Sequence, residues 1–358
     1  MGGSQSRVRH WHRLGHSAIP IRIALLTAIV IIFMSLRKTT TTYLEKVYYS
    51  ATATDDNCSR LFQSGSLKWN LREGTSTWRP RDCELRYRSL NDSVKCMGTH
   101  GKSGKRRYIV FIGDSRVKQL RDGMVLALTG QDYDALADRT ASVDPIFRQA
   151  HEAFQTSGSS LVAAGARLRF DQHEYLDDGD GGLTELIRNL TTADEVPSLV
   201  VLGVGAWQIR QCHRGRKPQN TCAQHYSQQF RKLLPLLQEL AQTTDVLWLP
   251  QGALREHFLR DGNHVNAGFT NHNMIKYNNE VRRVLGSEQA STRKVVYWQS
   301  AWETSLMIND GLDGFHYGYN SKHVMTQMLM DWICHPYEGD PELNANRPNS
   351  NYCCMLNK

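Results

Sequence analysis

From Tyr108 onward, short β-branched apolar runs alternate with longer stretches whose apolar residues recur at helical spacing. That alternation dictates an α/β fold with a mostly parallel sheet, because parallel neighbours must be joined by crossovers, usually helical. Strands are expected at Tyr108 to Ile112, more weakly at Arg167 to Tyr175, and then at Ser198 to Leu202, Asp245 to Leu249 and Lys294 to Trp298. Helices are expected at Arg116 to Leu128, Ala223 to Gln242, His272 to Leu285 and Asn320 to Cys334. Five strands with crossover helices and no internal repeat make one doubly wound, three-layer domain over residues 108–335. Such sheets bind ligands beyond the carboxyl ends of their strands, so the residues just after each strand are the first to inspect.

The 358 residues carry 43 basic and 35 acidic side chains, an excess that first suggests nucleic acid. Its placement argues otherwise. Arg7, Arg9, Arg13, Arg22, Arg37 and Lys38 account for most of it, no Asp or Glu precedes Lys38, and the body beyond is nearly neutral. These cations flank the uncharged run Ile23 to Leu36, which extends to Ile19 if Arg22 snorkels. We read a basic tail (residues 1–18), a signal-anchor helix (19–36), a stem (37–57), a Cys-rich lead-in (58–107), the α/β domain (108–335) and a C-terminal tail (336–358). A cleaved signal peptide fits less well, because no small-residue cleavage site follows Leu36. The body is then expected in the lumen, a single-pass type II arrangement with a membrane contact through the N-terminal helix and no nucleic-acid partner.

Asn57, Asn91 and Asn189 each begin an Asn-x-Ser/Thr acceptor, which matters only in the secretory pathway. Cys58, Cys83, Cys96, Cys212, Cys222, Cys334, Cys353 and Cys354 are even in number and are read as disulfides, with connectivity open except for a favoured Cys212–Cys222 pair across a polar loop. No C-x-x-C spacing supports a zinc site. The lead-in shows no sustained periodicity and reads as stapled rather than core-forming.

Directly after the first strand stands Gly113-Asp114-Ser115-Arg116. A Ser at a strand-to-helix turn has its hydroxyl at the sheet edge, with the helix N-terminus beside any oxyanion that forms there, and Gly113 permits the tight turn. The plainer alternative is an N-cap pair. A base tips the balance: Asp310-Gly311-Leu312-Asp313-Gly314-Phe315-His316 follows the last strand, and an Asp three residues before a His can set its tautomer and stabilise its imidazolium.

The pairing of G-D-S after strand one with D-x-x-H before the last helix resembles the GDSL/SGNH hydrolase superfamily. The chain is similar more narrowly to the lumenal N-terminal domain of the sialate O-acetyltransferase (N-acetylneuraminate 9-O-acetyltransferase) family. The matching stretches are the Cys58, Cys83 and Cys96 lead-in, F-I-G-D-S-R with Gln119 and Leu120, Val201 to Trp207, Asp245 to Trp248, L-D-G-F-H and Cys353-Cys354. The resemblance implies an SGNH-like, flavodoxin-like fold, with Ser115 as nucleophile, His316 as general base and then acid, and Asp313 orienting His316. It implies acetyl-CoA or a derived donor, no bound cofactor and no metal, and a sugar nucleotide or glycan acceptor, sialic acid foremost, at the Golgi membrane. Esterase action with water as acceptor and a non-catalytic glycan-binding role are the alternatives. Two departures stand out. Many relatives carry an oxyanion-hole Asn after the third strand, where this chain has Gly203-Val204-Gly205-Ala206-Trp207; the donors expected instead are the backbone N–H groups of Ser115 and Gly205 and the guanidinium of Arg116, for which an exposed helix-start cation is the alternative. The family also continues into a multi-span domain where this chain ends at Lys358, so a fragment, an isoform or a paralogue served by a separate acetyl-supplying membrane protein are all consistent.

Other motifs are weaker. Gly101-Lys102-Ser103 lacks the P-loop's first Gly and precedes a strand. His257, His264 and His272 lie in a polar stretch with no i, i+4 pair and are spaced too loosely for a defined metal-ligand set; a substrate-lining loop is the functional alternative to a plain surface stretch. Trp207 could stack on a sugar or simply fill the rim.

Overall fold

The computed structural model describes residues 57–70, 75–81, 83–98, 107–130, 158–176, 182–260, 268–287, 295–311, 313–334 and 352–354. The basic tail, the apolar run, the P-loop-like Gly101 to Ser103, His264, Leu312 and most of the C-terminal tail lie outside them. Among the described residues no helix is long and apolar enough to cross a membrane.

Five parallel strands form the centre: β3 (Tyr108–Gly113), β5 (Ala166–Gln172), β6 (Leu199–Gly203), β7 (Asp245–Trp248) and β8 (Val296–Tyr297). Ahead of them run a hairpin, β1 (Gly65–Asn70) and β2 (Thr75–Pro80), and helix α1 (Leu90–Gly98). The sheet order, with β4 (Ser160–Ala163) at one edge, is β4-β5-β3-β6-β7-β8 and reverses direction of growth at β3, as a doubly wound sheet must. The expectation of five strands is corrected by this sixth, β4, which pairs antiparallel with β5. A four-residue edge strand with one face outward has no long apolar run to announce it.

Every residue of β3 is buried, because helices cover both sheet faces. Ile109 and Phe111 point into one layer, packed on α2 (Ser115–Thr129) and α9 (Tyr319–Cys334); α8 (Gln299–Ile308) lies in the same layer. Tyr108, Val110 and Ile112 point into the other, packed with α3 (Leu183–Thr192), α4 (Ala206–Arg214), α5 (Gln219–Leu240) and α7 (Asn271–Ser287). A short α6 (Glu256–Arg260) precedes α7. The four expected helices are all present with ends shifted by up to four residues, whereas α1, α3, α4, α6 and α8 were not anticipated.

The lead-in is stapled, but the view that it forms no core is overturned. Leu61, Phe62, Trp78, Leu85 and Met97 are buried in the α2/α9 layer. Three bridges join this segment to the end of the chain, Cys58–Cys354, Cys83–Cys353 and Cys96–Cys334, and the fourth is the expected Cys212–Cys222. No cysteine is free.

Candidate active site

The site starts at the end of β3. Gly113 has φ of +152°, and a Cβ there would lie 2.1 Å from the carbonyl oxygen of Gly203 on neighbouring β6, so no side chain fits where the chain turns. Asp114 is the N-cap of α2: its Oδ1 accepts from the Arg116 N–H at 2.9 Å, leaving Ser115 as the first helical residue. The N-cap reading and the nucleophile reading are therefore compatible, since Asp114 caps and Ser115 is presented. Burial pushes the Asp114 carboxyl above the ordinary carboxylate range, against the opposing pull of the Arg116 guanidinium and N–H.

Ser115 Oγ lies 2.6 Å from His316 Nε2, and His316 Nδ1 lies 2.5 Å from Asp313 Oδ2. The other oxygen of Asp313 accepts the backbone N–H groups of Phe315 and His316 at 2.9 and 2.8 Å. Burial pushes the Asp313 carboxyl up, but the His316 ring, its N–H and charge, and the Phe315 N–H more than offset this, so the group is held well below the usual carboxylate range. The carboxylate is thus fixed in orientation by its own loop. In this array His316 Nε2 can take the Ser115 proton while Asp313 holds the other ring nitrogen protonated.

The loop from Asp310 to Tyr317 is tied on several sides. Asp310 accepts from Asn320 N–H at 2.7 Å and from Ser321 Oγ at 2.6 Å, capping α9 from outside the helix. Arg255 donates its backbone N–H to Gly314 at 3.0 Å and its Nη1 to the Gly311 carbonyl at 3.2 Å. From α2, Arg116 Nε donates to Phe315 O at 2.9 Å, and Gln119 exchanges two hydrogen bonds with the backbone of Tyr317. Asp310, Arg255, Gln119, Phe315 and Tyr317 were assigned no role from sequence. Of these only Gln119 carried a usable signal, one helical turn beyond Ser115.

The remaining expected residues divide. Arg116 is 2% exposed, which rules out an exposed helix-start cation. Its Nε and Nη1 are engaged by the carbonyls of Phe315 and Gly252, and its Nη2 is also buried, so the guanidinium sits behind the His316 loop instead of facing open space. The Ser115 N–H, first of its helix, has no intrahelical acceptor. Gly205 takes φ of +140° as the N-cap residue of α4, with the Val204 carbonyl bonded by Tyr226 Oη and Gln251 Nε2. Trp207 is half-buried with the Arg210 guanidinium 4.6 Å from its ring centre, so one ring face is already covered. His257 and His272 are exposed, and among the described residues no three His, Cys, Asp or Glu side chains gather as a metal site would require. Asn91 and Asn189 are exposed on α1 and α3; the Asn57 side chain is outside the described set.

Beside this edge lies a cleft of about 1130 Å³, whose walls include Tyr175, Gln208, Gln211, Arg214, His225 and Gln229. Ser115 and His316 are not among its lining residues, but Tyr226, which lines it, bonds the carbonyl preceding Gly205.

No protein-family model matches the sequence. Among solved structures the chain is similar to the native aryl esterase of M. smegmatis (15% identity, covering 63% of this chain and 98% of that one, TM-score 0.37). It is also similar to Est24, a carbohydrate acetylesterase from Sinorhizobium meliloti (12%, 65% and 100%, TM-score 0.36). A third is a catalytic mutant of Axe2, an acetylxylan esterase from Geobacillus stearothermophilus (11%, 63% and 94%, TM-score 0.32).

Proposed function

We propose that this chain is a serine-dependent acyl-transferring enzyme, an O-acetyltransferase that moves an acetyl group through acyl-Ser115 to a glycan hydroxyl. The observation that carries the reading is the continuous hydrogen-bonded line from Ser115 Oγ through His316 to Asp313. Ser115 Oγ attacks the carbonyl carbon of an acetyl thioester, acetyl-CoA or a derived donor, as its proton passes to His316 Nε2. Collapse of the tetrahedral species breaks the carbon–sulfur bond, and the departing thiolate takes that proton. The acceptor hydroxyl then attacks acetyl-Ser115, His316 removes its proton, and the proton returns to Ser115 Oγ as the ester product leaves. The N–H groups of Ser115 and Gly205 are the backbone donors proposed for the oxyanion.

Two features support a sugar acceptor. The described walls of the adjacent cleft contain amides, hydroxyls and cations but no carboxylate, a lining suited to a hydroxyl-rich, negatively charged ligand such as sialic acid or its nucleotide. Four disulfides and no free cysteine support an oxidising compartment, in keeping with a lumenal domain behind an N-terminal anchor at the Golgi, with Asn91 and Asn189 open to glycosylation. Esterase action is the second reading, favoured by the exposure of His316 and Asp313, 38% and 54%, which leaves water free to compete for the acyl-enzyme.

Incubation of the purified chain with acetyl-CoA and CMP-sialic acid separates the two. O-acetylated sugar is the expected product and should be lost in Ser115→Ala. Free acetate alone would favour the esterase, and acetyl transfer surviving Ser115→Ala would overturn the mechanism.

A further inference from the structure

His316 sits on a loop, its side chain 38% exposed, and a loop is a poorer platform than a helix for a proton transfer that an ångström of misplacement would slow. The loop's backbone on both sides of His316 is, however, held by the helix that begins with Ser115. Before His316, Arg116 Nε donates to the Phe315 carbonyl at 2.9 Å. After it, Gln119 Nε2 donates to the Tyr317 carbonyl at 3.0 Å and the Tyr317 N–H donates to Gln119 Oε1 at 2.8 Å. Gln119 stands four residues beyond Ser115 and so shares its face of α2. The second nitrogen of Arg116, Nη1, donates to Gly252 O at 2.9 Å, and its guanidinium carbon lies 4.0 Å from the centre of the Phe315 ring.

We propose that Arg116 and Gln119 are positioning residues that lock the imidazole of His316 to the nucleophile, making the Ser115–His316 distance a property of one helix instead of a loop. Neither needs to touch the reacting atoms. The rigid guanidinium fork spans the Phe315 and Gly252 carbonyls together, a geometry that a lysine ammonium does not reproduce. The Gln119 amide supplies the one donor and one acceptor that the Tyr317 peptide groups need. The inference rests on the Ser115–His316 reading above, and it predicts that both side chains act only through His316.

The rate at which a fluorophosphonate probe modifies Ser115 in the full chain tests this, with each substitution made alone and in a His316→Ala background. Gln119→Ala and Arg116→Lys should each slow labelling roughly 10- to 100-fold, the scale expected of a misplaced catalytic group. In the His316→Ala background, at high probe concentration, the same substitutions should change the rate less than about twofold, because the group they position is gone. Labelling at the wild-type rate, or an equal loss with and without His316, would overturn the proposal. If Gln119→Ala does not fold, Gln119→Glu serves: it keeps the acceptor for the Tyr317 N–H but sets a carboxylate against the Tyr317 carbonyl, and should slow labelling in the same His316-dependent way. A wild-type chain that takes up no probe at all would count against the parent reading, a result distinct from failure of the clamp.

Discussion

Asp313 shows how much chemistry a short local motif can hold. Three residues of loop let one carboxylate accept from the His316 ring and from two backbone N–H groups, and those bonds outweigh its partial burial. Because its folded pKa lies below the ordinary value of 3.8, its contribution to stability is fully present above about pH 4 and is lost as pH falls through the folded value. Asp313→Asn should therefore lower kcat/KM by about 10²- to 10⁴-fold, by analogy with the triad acid. Any stability gap between Asp313→Asn and the wild type, followed by thermal melts across pH, should be widest at neutral pH and close in acid. A gap that widened in acid would contradict this sign. That Ser115, Asp313 and His316 come together was legible in the sequence because each motif is local and stands just past a strand. Arg255 and the buried setting of Arg116 were not, since both depend on which loops the sheet brings together, and the sign of that exposure cannot be read from a helix-start arginine.

At the scale of elements, legibility followed burial on both faces. Strands β3 and β6, and β7 after its exposed Asp245, read as apolar runs because helices cover the sheet on either side. The long helices α5, α7 and α9 kept enough turns for their apolar residues to repeat. What was missed is short or one-sided. The hairpin strands β1 and β2 are mostly polar, the edge strand β4 has only four residues, and α4 begins at a Gly with positive φ that reads equally well as loop. The lead-in misled for another reason. Its buried residues Leu61, Phe62, Trp78, Leu85 and Met97 are scattered among polar ones and reach the core as single anchors, so no window of sequence displays them as a face.

Across the whole molecule, the bridges Cys58–Cys354, Cys83–Cys353 and Cys96–Cys334 are nested and clasp the two ends of the body around the sheet. Buried Arg88 joins the same two regions, donating to Asp331 of α9 at 3.1 Å. Cys96–Cys334 closes a sequence separation of 238 residues, so Cys96→Ser/Cys334→Ser should cost about 2–5 kcal/mol in chemical denaturation. Loss of Cys212–Cys222, separated by only 10 residues, should cost less, and the reverse order would contradict a stabilisation dominated by loop closure. This clasp stabilises the frame, while the chemistry we propose depends on two residues that the frame brings within 2.6 Å across 201 positions of sequence. The most direct test of that claim is mass spectrometry of the full chain after exposure to a fluorophosphonate. One adduct is expected, mapped to Ser115, absent in Ser115→Ala and formed at least about 100-fold more slowly in His316→Ala. No adduct on Ser115, or one formed equally fast without His316, would contradict the claim.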